Sequence, residues 1–239
     1  MNQSQIAEYQ NFAKTKLGFE FKDIDLLITA LTHRSYVNEH KKSTRAHNER
    51  LEFLGDAVLE LVASDFLYRN YDQPEGIMTA WRSALVRTES IGAAGQRLGY
   101  EALVRLSHGE KRGSSRAHAS ILADCFEAVI GAIYLDQGYA TAAEFIKKHI
   151  LSQIDQILAD ESWRDPKSYL QELAQKHDNT TPQYRTIKED GPDHDKTFTV
   201  GVYVGAKLRG TGIGHSKQSA QTAAASQAVK FYRAQHSKR

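Results

Sequence analysis

Apolar residues recur at helical spacing through the first two thirds of the chain. The pattern predicts helices over Gln5–Leu17, Ile24–Thr32, Glu49–Tyr68, Met78–Leu98, Ser120–Leu135 and Ala140–Ile157. Gly76, Gly99, Gly109, Gly113 and Gly138 punctuate them. Lys111–Ala119, KRGSSRAHA, is small, polar and basic, and reads as an exposed loop. The charged run Asp160–Pro166 ends in proline and marks a boundary. Beyond it the pattern changes. Lys167–Asp178 is a short amphipathic helix, and Gln183–Lys188, Thr197–Val204 and Ala206–Gly212 read as strands. The second strand alternates Phe198, Val200, Val202 and Val204. Lys217–Tyr232 is an alanine-rich helix. The expected organisation is an all-α domain over residues 1–158, a linker over 159–166, and an α-β-β-β-α domain over 167–236.

Charge sharpens that division. Residues 1–165 carry 19 Lys and Arg against 23 Asp and Glu, a net of −4. Residues 166–239 carry 12 against 6, a net of +6, and together they return the chain's +2. An acidic body joined to a basic module suggests metal chemistry in one part and polyanion binding in the other. Cys125 is the only cysteine, so no disulfide forms within the chain. The N-terminus lacks the basic-then-apolar pattern of a signal peptide, and no apolar run is long enough to span a bilayer. The expected location is cytoplasmic, with no membrane partner.

The candidate chemistry lies in two of the expected helices. His47–Val62, HNERLEFLGDAVLELV, places Glu49, Glu52 and Asp56 at steps of three and four, within roughly 60° of arc on one face. The remaining positions are apolar nearly all round, as in a buried helix. Clustered carboxylates in such a place repel one another and are costly to desolvate unless a cation compensates. A solvated acidic face would instead carry interspersed Lys and Arg partners. Between Glu49 and Glu60 the only basic residue is Arg50, off the acidic arc. Glu60 projects onto the same arc, and geometry alone does not separate it from the other acids. The second helix, with Ser120 as the expected N-cap, presents Asp124 and Glu127 three residues apart. Two buried helices facing each other through these acids supply hard oxygen ligands, which suit Mg²⁺ or Mn²⁺. No His and Cys set has zinc spacing, and no small-molecule cofactor is expected. The histidines His33, His47 and His108 read as structural or solvated.

These segments resemble ribonuclease III. NERLEFLGD at Asn48–Asp56 and ILADCFEAVIGAIYLD at Ile121–Asp136 are similar to its two signatures, and ALTHRSY at Ala30–Tyr36 and the PEG turn at Pro74–Gly76 also match. The resemblance implies an all-α ribonuclease III-type endonuclease domain followed by a small α+β double-stranded RNA-binding domain. It implies a homodimer that hydrolyses double-stranded RNA with Mg²⁺, for which Mn²⁺ substitutes. The products carry 5′-phosphate and 3′-hydroxyl ends with short 3′ overhangs, and the expected roles are processing of rRNA precursors and structured mRNAs. By resemblance, Glu52, Asp56, Asp124 and Glu127 hold the metal. Asp56 and Glu127 are catalytic, Glu49 is a supporting acid at the catalytic site, and Glu75 lies near the dimer interface and the RNA. No family position makes Glu60 a ligand. The loop before Ser120 departs from the family, which often has a glycine pair there.

The last part resembles a double-stranded RNA-binding domain in its α-β-β-β-α order. Ser168, Gln171 and Glu172 share one face of its first helix, where short polar groups can meet 2′-hydroxyls and base edges in the shallow minor groove. GPDHDK at Gly191–Lys196 resembles the loop whose histidine, here His194, probes that groove. Lys217 opens the last helix and is expected to contact phosphate. The family usually has a second basic residue where this chain has Gln218. The rival reading is a non-catalytic double-stranded RNA-binding protein on a nuclease-like fold. The retained acids oppose it.

Overall fold

A computed structural model describes residues 2–41, 46–159, 161, 163–192 and 196–236, the side chain of His236 excepted. Contacts divide the chain into two compact units, Met1–Trp163 and Arg164–Arg239.

The first unit is helical. Its elements are α1 (Gln3–Phe12), α2 (Ile24–Ala30), α3 (Arg34–Glu39), α4 (Glu49–Asn70), α5 (Glu75–Leu85), α6 (Thr88–Leu98), α7 (Ser115–Gln137), α8 (Tyr139–His149) and α9 (Ile154–Ala159). A π-helical turn, Ala13–Leu17, continues α1 and stops at Gly18, whose φ of 93° suits glycine. The centre of the unit is α7. Cys125, Phe126, Ala128, Val129, Ile130, Ala132 and Ile133 are fully buried there, and α2, α4, α6 and α8 pack around it. Asp136 near its end accepts the backbone N–H groups of Lys22 and Asp23 at 2.9 and 2.8 Å. Burial opposes its charge, but those donors prevail and hold its carboxyl below the ordinary value.

Two crossings onto α7 are closer than ordinary side chains permit. A Cβ on Gly55 of α4 would lie 1.7 Å from the Glu127 carbonyl oxygen, and one on Gly131 of α7 would lie 2.2 Å from the Leu51 carbonyl oxygen. On another side, Gly92 of α6 meets the Ala119 carbonyl at 2.5 Å by the same measure. Backbone therefore rests on backbone, and no rotamer change can relieve an added methyl.

Several sequence expectations need correction. Met78–Leu98 is not one helix. Arg87 is extended (φ −67°, ψ 149°), so α5 ends at Leu85 and α6 begins at Thr88. No proline or glycine forces the break. Separating the helices lets Gly92 and Gly95 of α6 reach α7, a tertiary demand that local propensity does not carry. Ala140–Ile157 likewise divides into α8, a 3₁₀ turn at Leu151–Gln153, and α9. Ser114, not Ser120, caps α7: its side chain accepts the Ala117 N–H. Most of the expected loop Lys111–Ala119 is thus helical, in a 3₁₀ turn that ends at Arg112 and in the start of α7. The longer α7 is apolar and long enough to cross a membrane, against expectation, but 61% of that stretch is buried inside the fold, as befits a core helix. Nor is α4 buried all round. Phe53, Leu61 and Tyr68 are 81%, 57% and 78% exposed along one side of it.

The second unit has α10 (Pro166–Asp178), β1 (Gln183–Asp190), β2 (Thr197–Val204), β3 (Lys207–Gly214) and α11 (Lys217–His236). The strands form an antiparallel sheet in the order β1-β2-β3, with Thr186 opposite Val200 and Gly201 opposite Thr211. A bulge lies between Thr186 and Lys188. Val202 and Val204 point into a core with Leu170, Ala174, Ala224, Ala225, Ala228 and Tyr232. Proline opens α10 behind an Asp165 cap, as helix N-termini favour.

Gly131→Ala is expected to lower stability by about 1–3 kcal/mol, because the added methyl overpacks a backbone contact. Thermal melts against the parent protein check this. Unchanged melting would show that α4 and α7 can part without cost.

Candidate active site and nucleic-acid interface

The crossing at Gly55 and Gly131 sets the candidate active site. Asp56 follows Gly55 on α4, and the backbone that Gly55 touches is that of Glu127 on α7. One turn earlier, Glu52 and Asp124 flank the same crossing. Glu52, Asp124 and Glu127 are half-buried, while Asp56 and Glu49 are exposed.

These acids share one electrostatic field. Burial raises the Glu127 carboxyl, and Asp56, Glu52, Asp124 and Glu60 push it further, up to about 8. Burial also raises Glu52, with Asp124, Glu49 and Asp56 adding to it. Burial raises Asp124 too, against a lowering effect of His33. The site thus opposes its own negative charge, as clustered carboxylates in a low dielectric do. Among the described residues, no three His, Cys, Asp or Glu side chains converge closely enough to hold a metal ion as they stand. The donor chemistry nevertheless fits a hard divalent cation: four carboxylates come from two facing helices, and the burial and like charge that raise Glu52, Asp124 and Glu127 would be relieved by positive charge.

Residues outside the two acidic helices complete the picture. Glu49 is not unpartnered. Arg34 of α3 reaches its Oε1 at 3.2 Å, and His47 Nδ1 lies 3.6 Å from its Oε2. Glu60 is also paired, with Arg82 of α5 at 2.8 Å, and Arg82 donates as well to Ser64 Oγ at 2.7 Å. Both pairings set these acids apart from Glu52, Asp56, Asp124 and Glu127. His33 caps α3 by accepting the Ser35 N–H. Asn48 is almost wholly buried and sends its amide to Cys125 Sγ at 3.6 Å, tying the start of α4 to α7 beside Asp124. Sequence reasoning missed Arg34, His47 and Arg82 as partners, because they come from α3, the segment before α4, and α5. The one signal available was the THRSY motif, to which no residue role had been attached. Glu75, in the first turn of α5, accepts from Thr79 Oγ1 at 3.1 Å and lines a groove of about 430 Å³ with Leu61, Tyr68, Met78 and Arg82. It is not among the acids that shift Glu52, Asp124 or Glu127.

In the second unit Ser168, Gln171 and Glu172 lie exposed on α10. Ser168 Oγ donates to the capping Asp165 at 2.9 Å, and Glu172 pairs with Arg164 at 3.1 Å. His194 lies outside the described residues. Lys217 begins α11 and pairs with Glu189 of β1 at 3.0 Å. Gln218, beside it, is exposed.

Comparisons with known proteins follow the same division. A family model described as Ribonuclease-III-like matches residues 23–154, and a double-stranded RNA binding motif matches residues 166–232. Ribonuclease 3 of Desulforamulus reducens is 45% identical over 222 residues, covering 92% of this chain and 90% of that protein. Ribonuclease 3 of Enterococcus faecalis is 44% identical, covering 91% and 94%. Among solved structures, the nuclease domain of ribonuclease III from Campylobacter jejuni is 37% identical. It covers 58% of this chain and 96% of that one, with a TM-score of 0.52. That structure is described as flexible in a region involved in dimer formation.

The Glu127 shift has a definite sign. Its carboxyl rises from an ordinary 4.5 to about 8. Such a group stabilises the fold fully below its unfolded value and loses that contribution as pH rises through its folded value. In the presence of a chelator, Glu127→Gln is therefore expected to melt above the parent protein. The gap is small near pH 4.5 and widest above pH 8. Thermal melts across that window check it, and a gap that does not grow with pH would contradict the electrostatic reading.

Proposed function

The chain belongs to the ribonuclease III family and is an endoribonuclease of double-stranded RNA, and from that premise we propose how its residues divide the work. The observation that carries the proposal is the meeting of α4 and α7 at Gly55, which sets Glu52 and Asp56 against Asp124 and Glu127, where burial and carboxylates of the facing helix raise Glu52, Asp124 and Glu127. Members of the family depend on a divalent metal. We assign it here as Mg²⁺, with Mn²⁺ as a substitute, held by Glu52, Asp56, Asp124 and Glu127. When bound, such an ion lowers the pKa of water and offsets negative charge at the scissile phosphate.

The remaining chemistry belongs to the chain. Asp56, exposed at the crossing, and Glu127, across it on α7, are the acids we assign to the reacting groups. Glu49, gripped by Arg34 and His47, supports the site from its rim. Water adds to phosphorus and the P–O3′ bond breaks, leaving 5′-phosphate and 3′-hydroxyl ends with short 3′ overhangs. The basic domain adds affinity through Ser168, Gln171, Glu172, His194 and Lys217, reading duplex shape over about 16 base pairs rather than sequence. The nuclease domain spans 1–158, the linker 159–166 and the RNA-binding domain 167–236. Substrates are rRNA precursors and structured mRNAs, met in the cytoplasm. The non-catalytic alternative is not favoured, since the relatives that cover nine tenths of the chain are named as ribonucleases.

We further propose a homodimer built on the exposed side of α4. Phe53 at 81% exposure, with Leu61 and Tyr68, is a costly apolar surface to leave in water. The groove beside Leu61 and Tyr68, bearing Glu75, offers a second copy room to dock. The dimer formation described for the Campylobacter jejuni nuclease domain supports the same state.

Two outcomes test these assignments. Asp56→Asn is expected to retain duplex binding while cleavage with Mg²⁺ falls by at least about two orders of magnitude, the scale on which catalytic groups act. Gel assays on a long RNA duplex read both, and undiminished turnover would remove Asp56 from the site. Phe53→Asp is expected to run as a monomer by light scattering. A dimer of unchanged affinity would move the interface elsewhere.

A further inference from the structure

At one corner of the second unit a single carboxylate holds two lysines. Glu189 lies near the end of β1. Its Oε1 is 3.0 Å from Nζ of Lys217, and its Oε2 is 3.7 Å from Nζ of Lys196, just before β2. The Lys217 ammonium also stands 5.5 Å over the ring of Phe198 in β2. Beside them Lys188 pairs with Asp190. The hydrogen bond from Lys217 holds the Glu189 carboxyl below its ordinary value, against burial. The corner is open to solvent: Lys217 is 60% exposed, and Glu189 and Lys196 are each 36% exposed.

We propose that Glu189 is a built-in competitor for RNA phosphate, occupying Lys217 and Lys196 in the unbound protein and giving them up when a duplex arrives. The proposal rests on the reading that Lys217 contacts phosphate. A carboxylate and a phosphodiester are both anionic oxygen acceptors, and the two oxygens of Glu189 are each taken by a different ammonium, as two phosphate oxygens would be. Lysine suits such an exchange because it is a point charge on a flexible stem and changes partner without geometric penalty. The exchange has an energetic consequence of limited size. Exposed pairs contribute little, so the competition weakens RNA binding by a small factor rather than abolishing it. It acts in the part of the chain with a net charge of +6, where polyanions of any kind would otherwise bind. Glu189 thereby lowers by that factor the affinity of the corner for any anion that engages these lysines.

The test is a binding cycle on the full chain, in a chelator so that the duplex stays intact. A fluorescent RNA duplex longer than the roughly 16 base pairs that one such domain spans serves as the probe. Glu189→Gln is expected to lower Kd roughly two- to fivefold, and Lys217→Ala to raise it. In the Lys217→Ala background the gain from Glu189→Gln is expected to shrink by at least half on a logarithmic scale. The gain should also diminish as salt rises and screens the pair. If Glu189→Gln leaves Kd unchanged or raises it while Lys217→Ala weakens binding, the lysine reads phosphate but Glu189 does not compete for it, and the proposal fails alone. Equal tightening with and without Lys217 would mean a general charge effect and would also overturn it. If Lys217→Ala leaves Kd unchanged, the phosphate-contact reading falls, and this proposal falls with it.

Discussion

The close approach of α4 and α7 at Gly55 and Gly131 is the constraint on which the rest of the nuclease unit depends. Two residues without side chains let backbone meet backbone, and the residues next to them inherit their positions. Asp56 adjoins one glycine, and Glu127 supplies the carbonyl against which that glycine rests. Glu52 and Asp124 follow one turn away. A larger residue at either glycine would widen the crossing and weaken the coupling among the carboxylates. The apolar bulk of α7 serves the same end, because a helix locked on several sides cannot yield when its acids repel those of α4.

That repulsion is the second theme. The four acids stay in mutual range although burial and like charge raise Glu52, Asp124 and Glu127. Packing elsewhere in the unit outweighs this local cost, a common arrangement where function needs a group that the fold alone would reject. Two nearby acids have cationic partners, although both still add to the negative field of the cluster. Glu49 has Arg34 and His47, and Glu60 has Arg82.

The second unit uses charge differently. Its sheet and alanine-rich helix form a small apolar core, and Gly212 of β3 lets α11 approach so closely that a Cβ there would lie 2.2 Å from the Ala224 nitrogen. The start of the helix then presents Lys217 beside the sheet, where Glu189 pairs with it. Cations are carried on the surface but are not all left bare.

By itself the sequence determined the two-part organisation, because a 3.6-residue period gives way to alternation at a charged, proline-ended connection. Steps of three and four also put Glu49, Glu52, Asp56 and Glu60 on one face and Asp124 with Glu127 on another, but spacing did not rank these acids; the choice among them came from the family resemblance. Helix breaks were less legible. Nothing in Leu85–Thr88 forbids a helix, and the extended Arg87 goes with the close packing of Gly92 and Gly95 on α7 and with the Ser90 hydroxyl donating back to the Ala84 carbonyl. The apolar residues of α4 suggested full burial, whereas Phe53, Leu61 and Tyr68 face outward, because periodicity reports hydrophobicity but not what covers it. The partners of Glu49 and Glu60 were invisible for a related reason. Arg34 and Arg82 lie 15 and 22 positions away, and an ion pair between separate helices leaves no spacing rule along the chain. Local chemistry is written in the order of residues, but pairing across helices exists only once the chain has closed on itself.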